Sequence, residues 1–153
     1  MFTYQYPRAA LTTDAIVFVK DENLSPNTFI LLIQRGREPF KNKWALPGGF
    51  IEMDEILEMA CKRELLEETG LAVENMTQFK TYDSIHRDPR YRTISVVYFT
   101  ELEKRKAVKG GDDAARAEWF PIGKLPELAF DHQQIIEDFF STKKKKIVSS
   151  SWF

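Results

Sequence analysis

Residues 54–69 contain neither Gly nor Pro and are rich in Glu, Leu, Met and Ala, a composition that favours an α-helix of about four turns. Gly70 then supplies a C-terminal stop, because glycine accepts the left-handed conformation used there. On a wheel of about 100° per residue with Glu64 at zero, Leu57 falls at about 20°, Glu68 at about 40°, Cys61 at about 60° and Leu65 at about 100°. On the other side, Ala60 lies at about −40° and Glu67 at about −60°. Three carboxylates therefore share the face that carries the core-forming residues. Like charges at i,i+3 and i,i+4 destabilise a helix even when exposed, and partial burial makes this worse. Hard divalent cations relieve that cost, so the pattern points to carboxylate oxygens holding Mg²⁺ or Mn²⁺.

Pro47-Gly48-Gly49 precedes this helix, and glycines there let the backbone approach a ligand closely while a turn carbonyl adds a neutral oxygen. The run reads Gly49, five residues, Glu55, seven residues, Arg63-Glu64-Leu65, one residue, Glu67-Glu68, one residue, Gly70-Leu71. It resembles the complete Nudix box. The resemblance implies an α/β fold, a Nudix-type α/β/α sandwich with a mixed β-sheet, in which the box forms a loop–helix–loop. It also implies hydrolysis of a nucleoside diphosphate linked to another moiety, with Mg²⁺ (or Mn²⁺) as cofactor. The implied metal ligands are Glu64, Glu67, Glu68 and the carbonyl of Gly48. Arg63 would orient a box glutamate, with Glu67 its i+4 neighbour, and Glu55 would bind a further metal or support the site. Glu64 and Glu67 are the candidate bases, alongside a carboxylate from a late loop: Asp112, Asp113 or Glu118. Met53-Asp54 departs from the Pro-Gly-like turn of many relatives, and Asp54 is expected to cap the helix.

Elsewhere, residues 12–19 and 28–34 are rich in β-branched and aromatic residues and read as strands around a turn at residues 23–27. Residues 43–50 read as a loop, residues 73–83, 93–101 and 118–122 as strands, and Asp131 as the cap of a second helix through Phe140. One domain over residues 1–142 and a loosely ordered basic tail over 143–153 are expected.

The chain has 153 residues, with 22 Lys+Arg against 23 Asp+Glu. That balance argues against a broad nucleic-acid-binding surface. It is an average over unlike segments: residues 49–71 and 110–142 each carry −5, while residues 1–48 carry +2 and residues 72–109 carry +3. A single Cys, no apolar run long enough to span a membrane, and no signal-like start lead to the expectation of a cytoplasmic protein with neither membrane nor nucleic-acid partner.

His86-Arg87-Asp88-Pro89-Arg90-Tyr91-Arg92, the Leu128-Ala129-Phe130-Asp131-His132 run and Tyr6-Pro7-Arg8 are together similar to the ADP-ribose pyrophosphatase-like branch of that family. This branch implies a small-molecule nucleotide substrate, ADP-ribose, cleaved to AMP and ribose 5-phosphate, and makes a homodimer plausible. Arg37, Arg87, Arg90 and Arg92 are candidates for offsetting phosphate charge. Phe50 is a candidate for stacking a base and Glu52 for binding a ribose hydroxyl. For His132 a structural role at the helix start is expected. Two alternatives stand beside ADP-ribose hydrolysis: a pyrophosphohydrolase of (oxidised) nucleoside triphosphates, and a non-catalytic ADP-ribose sensor. The sensors of this branch carry a winged-helix domain, for which the residues after the last helix are too few.

Overall fold

Alternating apolar side chains along two β-branched segments bury both faces of the two central strands. The computed structural model describes residues 2–20 and 28–150, with side chains as far as residue 143. In chain order the elements are β1 (Ala10–Lys20), β2 (Thr28–Arg35), β3 (Trp44–Ala45), β4 (Gly48–Phe50), α1 (Leu57–Thr69), β5 (Thr77–Tyr82), β6 (Thr93–Leu102), β7 (Ala114–Pro121) and α2 (His132–Ser150). The seven strands make one mixed sheet, in which β1 runs parallel to β6 and every other pairing is antiparallel. Odd-numbered positions Ala15, Val17, Leu31 and Ile33 face Cys61 and Leu65 of α1. Even-numbered positions Ile16, Phe18, Ile30 and Leu32 face Ile135, Ile136 and Phe139 of α2. The result is the expected α/β/α sandwich, with Phe139 clustered edge-on or tilted against Phe18, Phe79 and Phe99.

One departure from regular pairing sets up everything that follows. Among the described residues, β1 and β2 pair directly only at Phe18–Lys20 with Thr28–Ile30. Beyond that point they part, and the segment expected to be a loop fills the gap as two short strands. β4 takes the freed edge of β1 at Thr12–Asp14, while β3 takes that of β2 at Ile33 and Gln34. Pro47 bridges them, its carbonyl accepting the Ala15 N–H at 2.8 Å.

Other boundaries differ from the sequence reading for identifiable reasons. Helix α1 starts at Leu57 with Ile56 at its N-cap, and no side chain caps it. Asp54 lies in an exposed turn, because the Glu55 carboxylate accepts the Glu52 N–H at 2.9 Å and closes the chain before the helix begins. Gly70 closes α1 as expected, at φ 75°, its N–H reaching the Leu66 carbonyl. Strand β5 is shorter than residues 73–83, and β7 begins at Ala114, ahead of residue 118, because β2 offers it a partner as far as Arg35. Asp131 stands at the start of α2, but its carboxylate receives the Arg87 guanidinium. Helix α2 continues through the lysines to Ser150, past the point where a tail was expected to begin. The expected turn at residues 23–27 and residues 151–153 lie outside the described residues. Among the described residues, no helix is long and apolar enough to cross a membrane.

His132 ties α2 to the gap between β1 and β2. Its Nδ1 accepts the Leu46 N–H at 3.0 Å, so its proton sits on Nε2, which faces Asp14 Oδ1 at 3.8 Å. Burial holds this imidazole below its ordinary pKa of 6.5, against the pull of Asp14 and Asp131. The unfolded chain then binds a proton that the folded chain refuses, so this contribution to stability falls as pH drops below about 6.5. His132→Asn, which keeps an acceptor but does not titrate, should flatten the acid side of the melting-temperature profile. His132→Ala should cost at least about 1–3 kcal/mol in denaturant unfolding, by orphaning the Leu46 N–H.

Candidate active site

A cleft opens where β1 and β2 part, with Thr12 and Asp14 of β1, Ile33 and Arg35 of β2, and Gly48 and Gly49 of β4 in its wall. Helix α1 supplies Glu64 and Glu68 to the same wall. Helix and strand are fastened by the Gly48 N–H, which donates to Glu68 Oε1 at 2.7 Å. The chains pass so closely that a Cβ on Gly48 would lie 2.2 Å from the Thr13 carbonyl oxygen, and one on Gly49 2.6 Å from Glu64 Cδ. Glycine is therefore required at residue 48 by contact with backbone, whereas at residue 49 a side chain would displace only the end of Glu64.

Glu68 is only 5% exposed. Burial, reinforced by the nearby Glu64, Asp14 and Asp113, pushes its carboxyl up to about 9, although the Gly48 N–H opposes the shift. Glu64 is also pushed up, chiefly by burial, against the pull of Arg63. Arg63 is the cationic hub of the helix. It grips Glu55 through Nη2 at 2.6 Å and Nε at 2.9 Å, reaches Glu64 at 2.9 Å and Glu67 at 3.2 Å through Nη1, and donates to the Phe50 carbonyl at 3.2 Å. Where the motif implied one oriented glutamate, the structure has three. Glu67 is exposed, while Glu52 sits outside the cleft, 3.9 Å from Arg63. Among the described residues, no three carboxylate, imidazole or thiol side chains meet as a ready-made metal cage.

The late loop brings Asp112 and Asp113 to the cleft, but Glu118 points elsewhere on β7 and pairs with Arg116. The loop is moored to the helix, with the Lys109 N–H donating to the Thr69 carbonyl at 3.1 Å. Four arginines also line the cleft: Arg35, Arg37, Arg87 and Arg90. Three of them are matched. Arg37 pairs with Asp113, Arg87 forks onto Asp131 at 2.7 and 2.9 Å, and Arg90 forks onto Asp88 at 2.7 and 3.0 Å. Arg90 also lies over the rings of Phe50, Tyr91 and Phe130. Arg92 donates instead to the Asp83 carbonyl, outside the cleft.

Sequence reasoning missed Asp14, Asp88 and Arg35. Asp14 carried a signal, being an acidic residue inside an otherwise apolar strand, where it accepts the Ser95 hydroxyl. Arg35 carried one as well, since it has the same strand parity as Leu31 and Ile33, which face α1. Asp88 had none, as nothing in the sequence distinguishes its pairing with Arg90 from a surface contact.

Residues 10–139 match the family described as NUDIX domain. The chain is 43% identical over 138 residues to the ADP-ribose pyrophosphatase of Methanocaldococcus jannaschii, a match covering 90% of this chain and 77% of that protein. It is 32% identical to the ADPR responsive transcriptional repressor NtrR of Acinetobacter baylyi, covering 92% of this chain but only 57% of the repressor. Among solved structures, the NUDIX domain of Shewanella oneidensis NrtR complexed with ADP ribose superposes with a TM-score of 0.81 at 31% identity, covering 90% of each chain.

The two glycines should separate stability from activity. Gly48→Ala drives a Cβ into the backbone of β1 and should cost about 1–3 kcal/mol or more in chemical denaturation. Gly49→Ala meets only the carboxylate end of Glu64, which can swing aside. It should leave the melting temperature nearly unchanged and lower kcat about tenfold or more.

Proposed function

The chain belongs to the Nudix hydrolase family, and from that premise we propose that it hydrolyses the pyrophosphate linkage of ADP-ribose to AMP and ribose 5-phosphate. The observation that carries this reading is the cleft itself, lined by Glu64 and Glu68 of α1, Asp112 and Asp113 of the late loop, and Arg35, Arg37, Arg87 and Arg90. Such a site suits a dianionic linker bridged to the carboxylates by cations. The similarity to an ADP-ribose pyrophosphatase supports the choice of substrate.

Nudix hydrolases work with divalent metal ions, here proposed to be Mg²⁺ or Mn²⁺. The donor set fits one: Glu64, Glu67, Glu68 and the Gly48 carbonyl are hard oxygens, and a buried Glu68 surrounded by like charge favours a bound cation over an unpaired anion. A bound metal neutralises phosphate charge and acidifies a coordinated water. The remaining work belongs to the protein. Arg63 holds Glu55, Glu64 and Glu67 in one orientation. Glu64 or Glu67 accepts the proton of the attacking water, with Asp112 and Asp113 the loop alternatives. The water oxygen bonds to one phosphorus while the bridging P–O bond breaks, and the second phosphate departs. The fork on Asp88 and the rings around Arg90 suit that residue to the nucleoside end, beside Phe50.

Turnover of a nucleotide panel with Mg²⁺ and with Mn²⁺ tests the proposal. ADP-ribose should yield AMP and ribose 5-phosphate in equal amounts. Turnover of triphosphates alone would replace the substrate assignment. Tight ADP-ribose binding without turnover would favour the sensor role, which the similarity to the repressor keeps in view. Glu67→Gln should fold normally and lose on the order of 10²-fold or more in kcat.

A further inference from the structure

The chain ahead of α2 pairs with the segment that leads into β4, and the pairing is parallel. The Trp44 N–H donates to the Glu127 carbonyl at 3.1 Å, and the Trp44 carbonyl accepts the Ala129 N–H at 2.8 Å. Continued in that register, a parallel ladder would send the Leu46 N–H to the Ala129 carbonyl. That carbonyl accepts the His132 N–H instead, because α2 begins there. The turn between them puts Phe130 at φ 52°, a left-handed conformation that a bulky aromatic rarely adopts and that the surrounding structure must hold in place. Leu46 is buried, so its N–H needs a partner from the protein. His132 supplies it, Nδ1 accepting that N–H at 3.0 Å. The imidazole stands in for a ladder carbonyl.

Gly48 follows two residues later. The Pro47 carbonyl accepts the Ala15 N–H, and the Gly48 N–H donates to Glu68. Bonds from the Ala15 N–H to Pro47 and from the Ile51 N–H to Leu11 make Asp14 and Gly48 a non-hydrogen-bonded pair, so the N–H and carbonyl of Gly48 both turn away from β1. The aim of that carbonyl therefore depends on how residues 46–48 are held. The imidazole that holds them is itself fixed. Its Nε2 faces Asp14 Oδ1 at 3.8 Å, Asp14 accepts the Ser95 hydroxyl, and the ring lies 5.5 Å from that of Phe130. We propose that His132 is a positioning residue of this site, holding Leu46 so that Gly48 meets the α1 glutamates with its carbonyl free for a cation. This rests on the metal reading above, and it adds a hold on β4 to the helix-start role expected of His132.

Two substitutions separate the two ring nitrogens. His132→Asn keeps an oxygen near the Nδ1 position, able to accept the Leu46 N–H. His132→Gln places its amide near Nε2 and leaves that N–H without its acceptor. Titration of the full chain with Mn²⁺ alone, by calorimetry, should show His132→Gln weakened about tenfold and His132→Asn within about threefold of the parent, the scale seen when a group behind a metal ligand is lost or kept. Amide exchange should follow the same order, the Leu46 and Gly48 N–H groups exchanging about tenfold faster in His132→Gln than in His132→Asn. Melting temperatures establish that each variant folds. If His132→Gln does not, His132→Asn carries the test, and a loss of about tenfold in its Mn²⁺ affinity overturns the proposal. A purely structural histidine would lower both melting temperatures without separating the two Mn²⁺ affinities, and that result also overturns it. If the parent binds no Mn²⁺, the metal reading fails and the order of exchange alone decides the role of His132. If the parent binds Mn²⁺ and His132→Gln matches it in affinity and in exchange, the positioning role fails and the metal reading stands.

Discussion

The hydrogen bond from the backbone of Gly48 to the buried carboxylate of Glu68 fastens together the two parts of this fold that matter for chemistry. On one side of it lies the sheet at the point where β1 and β2 part. On the other lies the helix that carries the glutamates. The bond is possible because β4 presses against β1 more closely than any side chain at residue 48 would allow. The sandwich layers, the parted strands and the carboxylate-bearing face of α1 are all in register with that contact. A helix bearing the same residues but docked half a turn away would direct its carboxylates into the apolar layer that holds Cys61 and Leu65.

Charge is arranged around this contact in two tiers. Arg63 belongs to the helix and pairs with Glu64 and Glu67 beside it and with Glu55 just before it, offsetting part of that acidic cluster. Glu68 lies beyond its reach, and the Gly48 N–H offsets its burial only in part. The arginines of the cleft follow the same pattern, three of them matched and Arg35 without a carboxylate partner among the described residues. Carboxylates and guanidinium groups thus line one cleft, which suits it to the metal-bound diphosphate proposed above.

The box and its helix were legible because their signals are local: composition, a wheel pattern and a terminal glycine. Strands β1 and β2 were legible from their β-branched and aromatic composition. What could not be read were features decided between distant segments. Residues 44–50 have a loop's composition, and they become strands only because two long strands separate and leave edges to pair with. Asp54 has a good cap's chemistry, but the Glu55 side chain, held by Arg63 eight residues on, ends the preceding turn first. The arginines were legible as a group and not as individuals. Which of them meets a carboxylate depends on Asp88, Asp113 and Asp131, whose positions follow from loops that local pattern does not determine.

The late loop carrying Asp112 and Asp113 is tied at its near end to the last residue of α1, through Lys109 and Thr69, and at its far end to β2, through the Gly36 N–H and the Asp113 carbonyl. Its two anchor points are the helix and strand that form the cleft walls. Among the described residues, the stretch before it, residues 103–107, is held more loosely, by the Lys106 carbonyl under Trp119 and by Arg105 over the Phe29 ring. Length can therefore vary there as slack in a rope varies between fixed cleats, and the two aspartates would keep their station over the glutamates. The chain separates the part of the loop free to drift in evolution from the part that must stay aligned with the helix.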